Sequence, residues 1–174
     1  LISSVATAPF AHCISMIPAR DPEEFRSFMD DVESQTFMKR WFAWTDDNLD
    51  TLRHMRCILG PPGIGKADGT AAFLGDQGFI FLFNPNQRKV KAEFTLDKSI
   101  GLSEGDSFVL KQLFPEEGRR VGGVYGYGDT CTLLLDGTSA WVLEVQPAPK
   151  NPDQPLLFNA RGEVRLKRGR LELT

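Results

Sequence analysis

A chain of 174 residues that is 41% hydrophobic and 25% charged has the composition of an ordinary globular protein. It is long enough for one good core with a small attachment. A net charge of −3 gives no overall attraction for nucleic acid. No apolar run approaches the ~18–20 residues that cross a bilayer, so no nucleic-acid partner and no membrane is expected. Cys13, Cys57 and Cys131 are far apart, without CxxC or Cys/His metal spacing, so neither metal nor cofactor is expected. Each sits among apolar neighbours, the pattern of a buried free thiol. A disulfide between two of them stays open, and with it the redox compartment. The opening Leu1–Phe10 has no Met and no basic region before its apolar residues, which makes it a poor signal peptide. The expectation is a soluble segment of a longer polypeptide, its compartment open, with a periplasmic or secreted parent among the alternatives.

Asp21-Pro22-Glu23-Glu24 carries a cap, a proline at the first helical position and a capping-box glutamate, the signature of a helix start. Phe25, Phe28, Met29 and Val32 follow at helical spacing, predicting a helix to about Met38. Trp41-Phe42-Ala43-Trp44 reads as a compact aromatic link. Thr45-Asp46-Asp47-Asn48 reads as a second cap, and Leu49, Leu52, Met55, Arg56 and Leu59 mark a second helix that Gly60-Pro61-Pro62 ends. After Gly60 the period changes. Turn residues recur every 8–12 residues or so, the rhythm of an antiparallel sandwich. Strands are predicted at Thr70–Leu74, Phe79–Phe83, Lys89–Leu96, Ser107–Phe114, Thr130–Leu135 and Ala140–Val145. Asp76-Gln77-Gly78 and Asp136-Gly137-Thr138 read as hairpin turns and Asn84-Pro85-Asn86 as another turn. Lys89–Leu96 alternates polar and apolar, so one face is wet. Gly78–Phe83 does not alternate, which predicts a central strand covered on both faces. Gln146–Pro155 holds four prolines and reads as a linker. Val164, Leu166, Leu171 and Leu173 make the inner face of a final hairpin whose basic outer face blocks edge pairing. The predicted fold is mainly β: an antiparallel β-sandwich over 70–174, preceded by a short two-helix segment within 1–60.

The junction Gly60-Pro61-Pro62-Gly63-Ile64-Gly65-Lys66-Ala67 nearly spells a phosphate-binding P-loop. That motif needs a Ser or Thr after the lysine to hold magnesium, a buried strand before it and a helix after it. Ala67 stands where the hydroxyl belongs. The stretch before it has helical spacing, and Asp68–Gly75 is too short and glycine-rich for the helix. A connector between helices and sandwich is the better reading, with nucleotide binding the weakest of three functional alternatives.

The order of elements carries a family resemblance. A capped helix, Trp41-Phe42-Ala43-Trp44, a second helix with Arg53 and Arg56, Gly60-Pro61 and Asp68-Gly69-Thr70-Ala71 come first. Gly78–Pro85, Phe94-Thr95-Leu96-Asp97 and Leu113-Phe114-Pro115 follow. This resembles the end of a retaining glycoside hydrolase of the alpha-galactosidase type, over roughly Asp21 to Val145. The resemblance implies the last helices of a catalytic (β/α)8 barrel followed by an all-β C-terminal sandwich. It implies that the catalytic aspartates lie upstream, so no residue of this chain is expected to be catalytic. The partner expected is that barrel, on the same polypeptide. The function expected is that of an accessory, structural sandwich region.

An independent carbohydrate-binding module is the alternative. Sugars stack on flat aromatic faces, and Trp41 and Trp44 beside Asp46 would make such a platform; their other use is to wedge the helices onto the sandwich. Tyr125, Tyr127 and Asp129 lie in Gly122–Asp129, with four glycines and two tyrosines in eight residues. That stretch reads either as a ligand-contact loop or as a bulged edge strand. Asp46 and Asp47 are better explained by capping than as a carboxylate pair. Glu116-Glu117 reads as a solvated pair, and His12 and His54 are isolated from any acid partner.

Overall fold

The computed structural model describes residues 1–7, 9, 31–61, 63–149, 164–167 and 170–173. The helix start at Asp21, with Phe25 and Phe28, lies outside the described residues, as do His12, Cys13 and the prolines after Lys150. The chain is mainly β, an antiparallel sandwich of unequal sheets with short helices before it. Helices α1 (Ile2–Thr7), α2 (Val32–Asp47) and α3 (Leu49–Leu52) precede strands β1 (Arg56–Ile58), β2 (Asp68–Leu74), β3 (Gln77–Asn84), β4 (Val90–Thr95), β5 (Ser107–Phe114), β6 (Arg119–Gly126), β7 (Thr130–Leu135), β8 (Ser139–Pro147), β9 (Val164–Lys167) and β10 (Arg170–Leu173).

One sheet has six strands in the order β1-β2-β3-β8-β5-β6, and β4 pairs with β7 in a second, two-stranded sheet. Every pairing is antiparallel. The expected two-sided burial of β3 is observed. Ile80 and Leu82 pack toward Ala92, Phe94 and Leu135 of the small sheet. Phe79 and Phe81 pack against Val5, Trp41 and Leu52 of the helices. An uninterrupted apolar run is stable in a strand only when both faces are dry. β4 keeps its alternation, with Val90, Ala92 and Phe94 buried and Lys91 and Glu93 exposed. β9 pairs with β10 in a hairpin whose register sets Val164 opposite Leu173 and Leu166 opposite Leu171.

Several expectations are corrected. α2 runs without a break through Trp41–Trp44, so the aromatic stretch is helix and not a link. Its N-cap is Asp31, whose carboxylate accepts from the Glu33 N–H at 3.1 Å and from the Ser34 hydroxyl. Those bonds hold the Asp31 carboxyl below its ordinary value, the Ser34 contacts first. Thr45 and Asn48 are not a second cap of the expected kind. The Thr45 hydroxyl donates to the Trp41 carbonyl and the Asn48 amide to the Trp44 carbonyl, both at 2.7 Å, closing the end of α2. α3 stops at Leu52, and Arg56–Ile58 is an edge strand paired with Gly69–Ala71. Backbone pairing with the next strand overrides the local helical spacing there.

The hairpin between β2 and β3 turns at Gly75-Asp76, with Leu74 opposite Gln77. Gly75, at φ 69°, supplies the left-handed residue such a turn needs. Asp136-Gly137-Thr138 is no hairpin turn, because β7 and β8 belong to different sheets. Asn84, 1% exposed, braces that crossing. Its amide nitrogen donates to the carbonyls of Arg88 (2.8 Å), Asp136 (2.8 Å) and Leu135 (3.3 Å), while its oxygen accepts from Asn86. Cys131 is buried as expected, whereas Cys57 is exposed because β1 lies at the sheet edge.

Candidate functional site

The near-P-loop joins two antiparallel strands. A strand, β1, does precede it, contrary to expectation, but Asp68–Leu74 after it is also a strand. No helix N-terminus is available to hold phosphate, so the loop is a hairpin connection. The Asn86 side chain accepts from the Gly65 N–H at 2.7 Å and donates to the Lys66 carbonyl at 3.0 Å, fastening it to the β3–β4 turn.

The helical spacing of Phe37, Trp41 and Trp44 puts all three on one side of α2. Trp41 is 2% exposed. Its ring lies 5.2 Å from Trp44 and 6.2 Å from Phe114, both edge-to-face, and 6.3 Å from Phe37. Trp44 meets Phe79 at 4.7 Å and Phe81 at 6.3 Å, again edge-on. The faces expected to stack on sugar are largely occupied by protein rings. This is the wedge alternative: the two indoles join α2 to the sheet. Asp46 and Asp47 are exposed at the last turn of α2. Glu116 and Glu117 are exposed as expected, each with one surface ion pair: Arg40 meets Glu117 at 3.1 Å, linking α2 to the β5–β6 turn, and Arg119 meets Glu116 at 3.3 Å.

Gly122–Gly126 belongs to edge strand β6 rather than to a loop. Between Val109/Val124 and Leu110/Val121 the register shifts, so Gly122 and Gly123 form a bulge. Tyr125 folds back over Gly122, whose φ is 72°, and packs on the inter-sheet core. The Asp129 carboxylate accepts from the Gly126 N–H at 2.7 Å, closing the turn into β7. Tyr127 is 40% exposed at its tip. Beneath lies the buried Cys131 thiol. Burial first, then the Asp129 charge, pushes it up to about 12, and the neighbouring Tyr125 hydroxyl opposes the shift. Burial likewise raises the Tyr125 hydroxyl. A thiol so protonated is a poor nucleophile. The two expected sugar-contact groups are not brought together. Trp41 and Trp44 lie on the helix-covered face of the large sheet, and Tyr125 on the opposite face.

Two clefts open on the helix-covered face. One, of about 390 Å³, lies between α1 and the β1–β2 edge and is lined by Ser3, Thr7, Cys57, Asp68, Thr70 and Phe83. Burial holds the Asp68 carboxyl above its ordinary value there. The other, of about 130 Å³, lies between α3 and strands β3 and β8, with Asn48, Thr51, Gln77, Phe79, Glu144 and Gln146 in its walls. The sequence marks several of these lining residues, Cys57 as a thiol, Gln77 as a turn residue and Phe79 as part of a strand, but none of those three as a ligand contact. Amides spread over separate strands carry no local signal. Among the described residues no group of His, Cys, Asp and Glu could hold a metal, and no helix is long and apolar enough to cross a membrane.

No protein-family profile matches the chain, and no curated protein matches it. Solved structures to which it is similar are glycoside hydrolases. A Bacillus halodurans protein assigned by inference as an alpha-N-acetylgalactosaminidase is 14% identical at a TM-score of 0.43, covering 54% of this chain and 21% of its own. A Geobacillus thermoleovorans alpha-amylase, solved with acarbose, is 18% identical at 0.40, covering 59% and 20%. A Clostridium papyrosolvens GH30 endoxylanase is 13% identical at 0.35, covering 54% and 24%. The chain thus spans about a fifth to a quarter of the length of these structures.

Proposed function

We propose that this chain is a non-catalytic β-sandwich region of a glycoside hydrolase, joined on one polypeptide to an upstream catalytic barrel of the alpha-galactosidase type. The observation that carries the reading is the aromatic wedge. Trp41 and Trp44 on α2 interlock with Phe79, Phe81 and Phe114 of the large sheet. The outer face of the sandwich is therefore built to hold helices against it. The order of sequence motifs from Trp41 to Pro115 supports the same family. Its job is mechanical: it anchors the helical end of the catalytic body and keeps that face of the sheet dry.

The test uses the natural open reading frame containing this segment. The expected frame encodes a strand–helix alternating region before Leu1. The full polypeptide hydrolyses aryl glycosides, the 174-residue chain does not, and deleting the sandwich lowers the thermal midpoint of the enzyme. Turnover by the isolated chain, or a frame without such a barrel, overturns the proposal.

A further inference from the structure

The cleft between α3 and the β3–β8 pair has a chemistry that the mechanical role does not require. In the antiparallel register Phe79 is opposite Glu144, and Gly78 opposite Val145. Gln77 and Gln146 flank those pairs with the same strand parity as Phe79 and Glu144, so all four project toward the helices. Asn48 and Thr51 face them across the cleft. The Asn48 amide spends one N–H on the Trp44 carbonyl, leaving its oxygen and second N–H. The Gln77 and Gln146 amides and the Thr51 hydroxyl form no side-chain hydrogen bond to the described residues. Glu144 holds Lys111 at 3.2 Å, so the one acidic wall is neutralised locally while a second carboxylate oxygen stays open. Phe79 also lines the cleft, but at 6% exposure it offers little open apolar surface there.

From this arrangement we propose that the cleft seats one neutral, hydroxyl-rich ring: a monosaccharide unit, free or at the end of a glycan. Amides and hydroxyls each offer donors and acceptors at once, which matches the alternating demands of vicinal hydroxyl groups. An anion would meet the Glu144 carboxylate, and a cation would compete with Lys111. Neutral polarity is what remains. The proposal stands on the cleft alone, whether or not the glycosidase reading holds.

The test is a titration of the full, isotope-labelled 174-residue chain with glucose, galactose, N-acetylgalactosamine and xylose, and separately with short oligosaccharides of each, followed by NMR. At least one sugar should shift the side-chain amide signals of Gln77 and Gln146 with millimolar affinity. Gln77→Ala and Gln146→Ala should each weaken that binding by about three- to tenfold, the loss expected of a neutral hydrogen bond. Both residues are partly or fully exposed, so the fold should survive; an unchanged thermal midpoint confirms it, and Thr51→Val is a further independent variant. Binding of oligosaccharides alone would identify a glycan end as the ligand. No shift with any sugar at tens of millimolar overturns the proposal. So does binding that shifts Tyr127 instead, or that survives all three substitutions.

Discussion

Replacing Trp41 by alanine tests how the helices are held to the sheet. The side chain is buried to 2% exposure and touches three other aromatic rings. An indole buries ~200 Å², and at ~25 cal/mol per Å² its transfer is worth about 5 kcal/mol as an upper bound. Aromatic-to-alanine truncations in cores cost ~3–5 kcal/mol once the cavity is included, and that is the range expected for Trp41→Ala. At ~2–4 °C per kcal/mol for a chain of this size, the thermal midpoint should fall by about 10 °C. Trp41→Phe is the informative partner. The indole N–H is buried without a hydrogen-bond partner among the described residues. An unmade bond of that kind costs ~1–3 kcal/mol, and phenylalanine removes it. The loss of ring area is then partly offset, and Trp41→Phe should cost only about 1 kcal/mol. The assay is urea denaturation followed by far-ultraviolet circular dichroism, with fluorescence of the remaining tryptophans as a second probe. If Trp41→Ala lies within about 1 kcal/mol of the parent, the wedge does not hold the helices. If Trp41→Phe is as costly as alanine, the N–H has a partner and the offset is wrong.

Neighbouring glycines of the β6 bulge should respond differently. Gly122→Ala must accept a φ of 72° and a collision with Tyr125, whereas a Cβ on Gly123 meets nothing within 4 Å. The first should lower stability by ~1–3 kcal/mol and the second by less than ~0.5 kcal/mol, read from urea midpoints. Asn84→Ala removes the donor to three carbonyls at a buried position and should cost ~2–4 kcal/mol in the same assay. Cys131 should resist a thiol reagent at pH 8 in the folded chain while exposed Cys57 reacts. Because burial raises the Cys131 thiol from 9.0 to about 12, the unfolded chain releases that proton first. Stability present below pH 9 is then lost as the pH rises toward 12, and Cys131→Val should flatten that alkaline slope. Calorimetry at millimolar ATP should show no binding to the chain; binding that Lys66→Ala abolishes would restore the P-loop reading.

Sequence patterns were informative where a strand's burial is written in its own residues. The unbroken run Phe79–Phe83 marked the central strand, and the alternation in Lys89–Leu96 marked a half-wet one. Ser107–Phe114 and Thr130–Leu135 coincide with β5 and β7. Legibility failed where a pairing partner decides. Arg56–Ile58 continues the helical spacing of Leu49 and Leu52, and only Gly69–Ala71 pulls it into a sheet. β6 is hidden by glycines that serve its bulge. Of the candidate site, Trp41 and Trp44 stood out by residue type, but the type alone does not say whether an indole faces water or Phe79. Gln77 reads only as a turn residue and Gln146 only as the start of a linker, since their proximity comes from the pairing of β3 with β8.

The small sheet is tied down at both ends by bonds between segments far apart along the chain. At one end Asn84 grips the β7–β8 crossing from the β3–β4 crossing. At the other, Leu96 and Asp129 bond through their backbones, as do Gly128 and Leu96, and Tyr127 and Asp106. β4 and β7 therefore cannot zip up from a local turn as β2 and β3 can. Each end closes only when two segments distant along the chain arrive together, and loop-closure entropy must be met before any pairing rewards it. The β4–β7 pair should form late and as one unit. In hydrogen exchange, the amides of Ala92 and Phe94 and their partners Leu133 and Cys131 should share one opening free energy, rather than fraying separately from each end.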